Sequence, residues 1–249
     1  MDNLQPFVVF PDTHGHLLEV EGVISFCRQR GILQDHRLLF LGDYVDRGPN
    51  VKELMNLCVA LQKEGNVFLA GNHEFVLRMA LNTYHPNWEY WLGRWAVGHE
   101  DGTLQSYGVK LPSKDFFDDK TAWGKAIVEL WWAMPDSHRD FLFGLPLFYE
   151  TAEQIFVHAG LNLQPWEEQK LFLQGGDHGA RGPEQVFSHK LAQTIVHGAE
   201  KMVVSGHQHF SKPTKTSKRL LLHCGVDYGG PLVAWVNDLD RFIIPTKKV

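Results

Sequence analysis

The chain has few cysteines, no long apolar run and no excess of positive charge. Its three cysteines form no CxxC pair, which argues against both a disulfide framework and a zinc ribbon. No stretch approaches the ~18–20 consecutive apolar residues that a membrane span needs. The formal net charge is −5, whereas nucleic-acid binding requires a basic face. We therefore expect neither a membrane nor a nucleic acid as a partner.

The N-terminus and the length set two further expectations. Residues 1–6 are acidic and lack the basic and apolar segments of a signal peptide, so we expect a cytoplasmic location. A chain of 249 residues fits one large α/β domain, or a domain with one sizeable insertion.

Apolar runs alternate with helical patterns over the first 75 residues. The runs at 7–10, 38–41 and 67–70 predict buried strands. Between them, apolar residues recur at i, i+3, i+4 and i+7 from Val20 and again from Val51, which predicts two amphipathic helices. This alternation predicts parallel βαβ units whose strand C-termini share one edge.

The rest of the chain follows two other patterns. Residues at about 76–150 hold six of the eight tryptophans and predict a mostly helical insertion in a single domain over 1–249. The tryptophans form either a rim beside the site or a satellite core. Strand patterns return at 155–157, 202–204, 220–222, 232–236 and 242–244. The last four are closely spaced, which predicts a second, more antiparallel sheet.

Five short polar motifs each follow one of the apolar runs. They are Asp12-Thr13-His14, the segment 42–48, Gly71-Asn72-His73-Glu74, His158-Ala159-Gly160 and Gly206-His207-Gln208-His209. Open α/β folds place their chemistry at the carboxyl ends of strands, so five such ends can converge on one point. Carboxylates, an amide and imidazoles at that point predict a site for hard or borderline divalent metals.

The donor set divides between two ions that share one carboxylate. One ion takes Asp12, His14 and Asp43, and the other takes Asp43, Asn72, His158 and His207. Two ions sharing a bridge would lie ~3.5–4 Å apart, the spacing used in two-metal hydrolysis. Taken singly, Asp12 also fits a turn and His158 a buried core histidine. Their shared position after strands favours the metal interpretation.

Four further residues are predicted to act on a phosphate group. Arg47 and Arg181, the latter in a Gly-rich loop at 175–182, offer guanidinium groups that bind phosphate oxygens in bidentate geometry. The alternatives are a salt bridge for Arg47 and a plain surface position for Arg181. His73 adjoins a predicted ligand and is the candidate general acid. Asp46 is the candidate for orienting its ring, and Glu74 is a second one.

These residues resemble the phosphoprotein phosphatase family of calcineurin-like metallophosphoesterases, in its bacterial and phage-type serine/threonine phosphatase branch. The matching signatures are DxH at 12–14, GDxVDRG at 42–48, GNHE at 71–74, HAG at 158–160 and GH at 206–207. The segment 102–108 resembles one found in bacterial and phage members. Arg181 falls where the family's second phosphate-binding arginine is expected.

The resemblance implies an α/β fold, a metallophosphoesterase β-sandwich of two mixed sheets flanked by helices (α/β/β/α). It implies two divalent metal ions, Mn²⁺ first with Fe or Zn²⁺ as alternatives. The expected reaction is hydrolysis of phosphomonoesters by a metal-bridging hydroxide. The expected substrate is a phosphorylated protein, at serine, threonine or also tyrosine, or a small phosphoester. The alternatives are a symmetrical diadenosine tetraphosphate hydrolase and an inactive metal-bound binding module.

Three features depart from the family pattern. Pro11 precedes Asp12 where glycine is usual, and Asp227 lacks the usual threonine after it. His209 follows His207 at i+2, a GHxH pattern typical of the wider metallophosphoesterase superfamily. We expect His209 either to add a ligand to the first metal or to lie at the rim of the site.

Overall fold

Two five-stranded sheets face each other, with helices on their outer faces. The computed structural model describes residues 6–97, 101–176, 178–179 and 181–245. Residues 1–5, which carry most of the N-terminal prediction, lie outside these ranges, as do Asp177 and Ala180 of the Gly-rich loop. Within the described part of the chain, no helix is both long enough and apolar enough to cross a membrane.

The helices and strands follow one another in a simple order along the chain. They are β1 (Phe7–Phe10), α1 (Leu17–Gln29), β2 (Arg37–Phe40), α2 (Val51–Lys63), β3 (Val67–Phe68), α3 (Asn72–Leu81), α4 (Trp88–Ala96), α5 (Asp101–Ser106), α6 (Lys120–Ala133), α7 (Asp136–Gly144), β4 (Phe148–Glu150), β5 (Gln154–Val157), α8 (Trp166–Gln174), α9 (Glu184–Phe187), α10 (His189–Gln193), β6 (Met202–Ser205), β7 (Thr214–Lys215), β8 (Arg219–Leu221), β9 (Ala234–Val236) and β10 (Arg241–Ile243).

Both sheets are mixed. The first has the order β10-β9-β1-β2-β3, with β1, β2 and β3 parallel and β9 antiparallel to both of its neighbours. The second has the order β4-β5-β6-β8-β7, with β5, β6 and β8 parallel and the edge strands antiparallel. The predicted fold class, two mixed sheets flanked by helices, is confirmed.

Alternation along the strands divides the core in two. In β1, Phe7 and Val9 belong to the cluster between the sheets, whereas Val8 and Phe10 belong to the cluster under the helices. Successive side chains of a strand point to opposite faces, so both faces of β1 are buried. Trp91 and Trp95 of the tryptophan-rich stretch belong to the cluster under the helices. They therefore extend the main core and do not form a satellite.

The assignment of the last strands was wrong in part. The runs at 232–236 and 242–244 form β9 and β10, which add to the free edge of β1 in the first sheet. The short distance along the chain between the two runs indicates a hairpin, but it does not indicate which of the two sheets the hairpin joins. In β9, Trp235 faces the other sheet while Ala234 and Val236 face the helices. Both faces of β9 are therefore buried, which suits a strand inside the sheet.

Two edge strands escaped the sequence analysis altogether. Strands β4 and β7 are three and two residues long, and none of their residues is fully buried. Such strands leave no apolar run for a pattern to detect. They complete the second sheet without contributing to the site.

The core between the sheets predicts a stability difference. The Phe156 side chain is 0% exposed there, and its ring centroid lies 5.9 Å from that of Phe7. We expect Phe156→Ala to lower the free energy of unfolding by about 3–5 kcal/mol because it leaves a cavity. Phe117→Ala, at a position 78% exposed, should stay within about 0.5 kcal/mol of the parent. Urea denaturation of both variants measures this, and equal losses would contradict the assigned core.

Candidate active site

The five motifs meet at one edge of the two sheets, where strands β1, β2, β3, β5 and β6 end. The His158 Nδ1–H donates to the carbonyl of Leu41 at 2.9 Å, which joins the second sheet to the first. The amide of His207 donates to Oδ1 of Asp12, also at 2.9 Å. The amide of His14 donates to the carbonyl of Asp43 at 2.8 Å. Motifs far apart in the chain are thus tied together through backbone groups.

Each donor atom of one predicted ligand set lies close to at least one other donor atom of that set. Asn72 Oδ1 lies 3.0 Å from His158 Nε2 and 2.8 Å from His207 Nδ1. His158 Nε2 lies 3.2 Å from both His207 Nδ1 and Asp43 Oδ2. Four side chains from four strand ends therefore aim their donor atoms at one small volume. This matches the donor set predicted for the second ion.

The set predicted for the first ion is less compact. His14 Nε2 lies 3.6 Å from Asp43 Oδ2, and His73 Nε2 lies 3.9 Å from the same oxygen. His14, Asp43 and His73 could together hold a metal ion, as could Asp43 with His158 and His207. The first of these groups contains His73, predicted as the general acid, in place of the predicted ligand Asp12. Asp12 is buried beside them, with Oδ1 engaged by the amide of His207. Asp43 belongs to both groups, the position predicted for a bridging carboxylate.

The protonation of these histidines suits metal binding. His14 donates its Nδ1–H to the carbonyl of Val45 at 2.8 Å, which leaves Nε2 buried without a hydrogen-bond partner. Burial lowers the pKa of His14, and burial together with His158 lowers the pKa of His207 to about 3. Both rings are therefore neutral at pH 7 and keep a lone pair for a cation. The buried donors fit a divalent metal ion.

The shared carboxylate, Asp43, is held in its ionised form, which also suits a bound cation. Burial alone would raise the pKa of Asp43, but the His158 and His73 rings outweigh it and hold that pKa well below its usual range. Against burial, Asp43 and Asp12 raise the pKa of His158 to about 9. A cation bound here must therefore displace a proton from His158, which makes its affinity dependent on pH.

Unusual backbone conformations are concentrated in the motifs. Among the described residues, six non-glycine residues have positive φ, and five of these lie in the motifs. The five are His14 at 37°, Asp43 at 57°, Asp46 at 68°, Arg47 at 62° and His207 at 65°. Such conformations cost about 1–3 kcal/mol each and persist only where the surroundings enforce them.

Glu74 holds the loop that carries three of these residues. Its buried carboxylate accepts from the amides of Asp43 at 2.7 Å, Tyr44 at 2.6 Å, Val45 at 3.0 Å and Gly71 at 2.9 Å. Burial and the nearby Asp43 raise its pKa to about 7, and three of these amides oppose the rise. Glu74 therefore orients a whole loop of backbone, a larger role than orienting the ring of His73.

The His73 ring is fixed by a buried chain of hydrogen bonds. Its Nδ1–H donates to Asp46 Oδ2 at 2.7 Å. The other oxygen of Asp46 accepts from Thr103 Oγ1 at 2.5 Å and from Trp95 Nε1 at 3.2 Å. Sequence analysis missed Thr103 and Trp95 because both lie in the insertion. The sequence of the 102–108 segment indicates a resemblance but does not indicate a contact with Asp46.

A cavity of about 220 Å³ opens beside these groups. Its lining residues are Asp43, Arg47, Asn72, His73, Arg94, Phe187, His189, His207, Gln208, His209 and Tyr228. A larger groove of about 540 Å³ lies between α4 and α6, but none of the histidines that the structure describes lines it. The smaller cavity is therefore the one associated with the metal donors.

The predicted arginines differ in position. The Arg47 guanidinium lines the cavity, pairs with the carboxylate of Asp227 and lies 5.5 Å from the centroid of the Tyr228 ring. Arg181 is exposed and is not among the lining residues. Its carbonyl accepts a hydrogen bond from Arg94 Nη1 at 3.4 Å. Arg94 itself lines the cavity, which sequence analysis did not anticipate.

Two further histidines complete the surroundings. His209 is exposed at the rim, with its ring centroid 4.6 Å from that of Tyr228. His223 is buried, with Nε2 3.3 Å from Asp227 Oδ1 and 3.9 Å from Asp12 Oδ2. His223 directly follows the apolar run at 220–222. The rule that found the five motifs would have selected it too.

Comparison with known proteins places this site in a family. The sequence pattern of the calcineurin-like phosphoesterases matches residues 5–211, a range that includes all five motifs. The chain belongs to the calcineurin-like phosphoesterase family. Members of this family are metal-dependent, in agreement with the buried donor groups. Metal-dependent phosphoester hydrolysis is the activity that this family membership supports.

Individual relatives differ in their named activities. The chain is 41% identical over 75 residues to a "putative serine/threonine-protein phosphatase" of Caenorhabditis elegans, a match covering 28% of this chain and 16% of the worm protein. The structure of a "putative diadenosine tetraphosphatase" superposes with a TM-score of 0.61 at 18% identity, covering 98% and 95% of the two chains. A cold-active protein-tyrosine phosphatase of a Shewanella species gives 0.51 at 14% identity, covering 98% and 81%. At these identities the two structures support the shared fold alone.

The hydrogen bonds to Glu74 predict that replacing its carboxylate with a neutral amide destabilises the fold. We expect Glu74→Gln to lower the free energy of unfolding by at least about 2 kcal/mol, because its amide nitrogen would face buried amide donors and leave them unpaired. Urea denaturation with chelator present measures this without any contribution from metal. Glu89→Gln is the matched control, since that side chain is 71% exposed and should change stability by at most about 0.5 kcal/mol. Equal effects of the two variants would disprove the anchoring role.

Proposed function

We propose that the protein is a two-metal phosphomonoesterase that dephosphorylates serine and threonine residues of proteins. The observation that carries this proposal is the convergence of Asn72, His158 and His207 on Asp43, directly beside the His73–Asp46 pair. Hydrolysis of a phosphoester requires a charged site for the phosphoryl group and a proton donor for the leaving oxygen. Arg47 and His73 line the same cavity, which supports the proposal.

The ligand sets of the proposal follow the donor groups. Asp43, Asn72, His158 and His207 would hold one ion, and Asp12, His14 and Asp43 would hold the other. The mixture of carboxylate, amide and imidazole donors suits Mn²⁺, with Fe or Zn²⁺ as alternatives. Bound there, the ions would supply positive charge and an activated water. His209 is assigned to the rim, since its exposed ring packs against Tyr228.

The protein's own groups provide orientation and the proton. Arg47 lines the cavity and presents a guanidinium group to the equatorial oxygens of the phosphoryl group. Asp46 accepts from Nδ1 of His73 and so keeps a proton on that nitrogen. His73 Nε2 can then protonate the leaving oxygen, as expected of a general acid next to the phosphoryl site.

The size of the cavity bears on the substrate. Pockets that enclose a drug-sized ligand have volumes of roughly 300–1,000 Å³. A cavity of about 220 Å³ suits a phosphoryl group with a short side chain, leaving the body of the substrate outside. A phosphorylated protein satisfies this condition. The local match to a named serine/threonine-protein phosphatase agrees with it.

One observation favours a second candidate, hydrolysis of diadenosine tetraphosphate. The Tyr228 ring is 65% exposed at the mouth of the cavity, and the exposed His209 ring lies beside it. Such rings can stack on an adenine base. The structural relative named as a diadenosine tetraphosphatase has the same fold.

A substrate panel tests the proposed function. Protein loaded with Mn²⁺ should hydrolyse p-nitrophenyl phosphate and phosphoserine or phosphothreonine peptides with a higher kcat/KM than diadenosine tetraphosphate. The reverse order would establish the second candidate. Absence of all turnover with two bound metals per chain would indicate a binding module. Asp43→Asn should lose both metals and activity, whereas Asp136→Asn, whose side chain is 87% exposed, should keep both.

The role of His73 has a test of its own. We expect His73→Asn to retain its metals but to lose roughly 10²–10⁴-fold in kcat on phosphoserine peptides, whose leaving oxygen needs a proton. The loss on p-nitrophenyl phosphate should be much smaller, because p-nitrophenolate leaves without protonation. Metal analysis and steady-state kinetics on both substrates measure this. Equal losses on the two would rule out the general-acid role.

A further inference from the structure

Two guanidinium groups line the cavity, and they come from different parts of the fold. Arg47 lies in the loop after β2, whereas Arg94 lies on α4 in the insertion. The carboxylate of Asp227 pairs with Arg47. No carboxylate among the described residues pairs with Arg94. Within the described part of the chain, Arg94 therefore brings a positive charge to the cavity that no carboxylate pairs with.

Aromatic rings hold the Arg94 guanidinium in place. Its central carbon lies 4.2 Å from the ring centroid of Phe187 and 5.7 Å from that of Trp91. Stacking of this kind fixes the plane of the group and leaves its N–H donors available at the edge. One Nη1 donates to the carbonyl of Arg181 at 3.4 Å. Most of the five donors of the group remain for a ligand.

The surrounding packing makes this arrangement rigid. Phe187 packs edge-on against Phe75, with their centroids 5.3 Å apart, and lies 6.3 Å from Trp91. A Cβ at Gly182 would collide with the Phe187 ring, so the loop that carries Arg181 closes directly over it. The loop thus supports the ring on which Arg94 stacks, while Arg181 itself is exposed and is not among the residues that line the cavity.

We propose that Arg94 is the second phosphate-binding arginine of this protein, in the role that sequence resemblance gave to Arg181. This rests on the proposed function, since it assigns a ligand group within the same site. Arg94 binds the dianionic phosphoryl group through its N–H donors, together with Arg47. Arg181 acts only through its backbone carbonyl, which positions Arg94.

Binding of inorganic phosphate to the Mn²⁺-loaded protein tests the assignment without requiring turnover. Calorimetry should show phosphate affinity weakened about 10–100-fold in Arg94→Ala, the loss expected for hydrogen bonds to a charged group. Arg94→Lys keeps the charge but not the planar fork and should give an intermediate loss. Arg181→Ala keeps the backbone carbonyl and should stay within about two-fold of the parent. Arg28→Ala, at an exposed position on α1, is an unrelated arginine control.

Two further readouts separate binding from folding and from the proposed function. The melting temperature and metal content of Arg94→Lys show whether this variant is folded and loaded with metal. If Arg94→Ala does not fold, the phosphate affinity of Arg94→Lys tests the assignment. KM for p-nitrophenyl phosphate should rise in the Arg94 variants. Full phosphate affinity in Arg94→Lys, or a loss in Arg181→Ala matching that in Arg94→Ala, would overturn the proposal. If the parent binds phosphate through Arg94 yet hydrolyses no substrate, the proposed function fails while this assignment stands.

Discussion

The four amide hydrogen bonds to the Glu74 carboxylate are the interaction on which the site depends. Three of the amides belong to the loop after β2 and one belongs to the turn before α3. One side chain therefore holds the ends of two neighbouring strands together. Gly42 in this loop has a φ of 109°, and a Cβ there would collide with the backbone of Gly71. The two strand ends approach so closely that only glycine and a buried carboxylate fit between them.

This constraint directs three side chains to three tasks. Asp43, Asp46 and Arg47 all have positive φ, which the bonded loop enforces. Asp43 is thereby directed to the imidazoles of His158 and His14, Asp46 to His73, and Arg47 to the cavity. The backbone strain would cost about 1–3 kcal/mol at each position, and the charge-assisted bonds to Glu74 offset it. The residues proposed as metal donor, orienting carboxylate and phosphate ligand thus belong to one structural unit.

The sequence predicts this unit well because its signal is local. Each candidate ligand follows an apolar strand within a few residues, as Asp12 follows the strand that contains Val9. The apolar run therefore predicts the strand, and the strand predicts where the polar motif lies. The hairpin of β9 and β10 was misplaced because sheet membership depends on contacts across more than 200 residues, such as that of Val8 with Val236. Trp95, Thr103 and Arg94 reach the site through helix packing, which leaves no mark in the spacing of their own segment. Whether a tryptophan packs in the core or donates to a carboxylate depends on which residues the fold brings next to it, and its own sequence segment does not show this.

The sheets and the insertion therefore contribute different groups to the site. All the candidate metal donors come from strand ends, from the turns directly after them or from the first turn of α3, and backbone hydrogen bonds link these segments. The groups that surround the phosphoryl position and the mouth of the cavity come in part from α4 and from the loop at 181–189. Helix α4 also donates to Asp46 through Trp95, so a shift of this helix would move Arg94 and loosen the His73–Asp46 pair together. In the proposed mechanism, binding of the phosphoryl group and delivery of the proton would be coupled through one helix, while the candidate metal donors lie on a frame that this helix does not build.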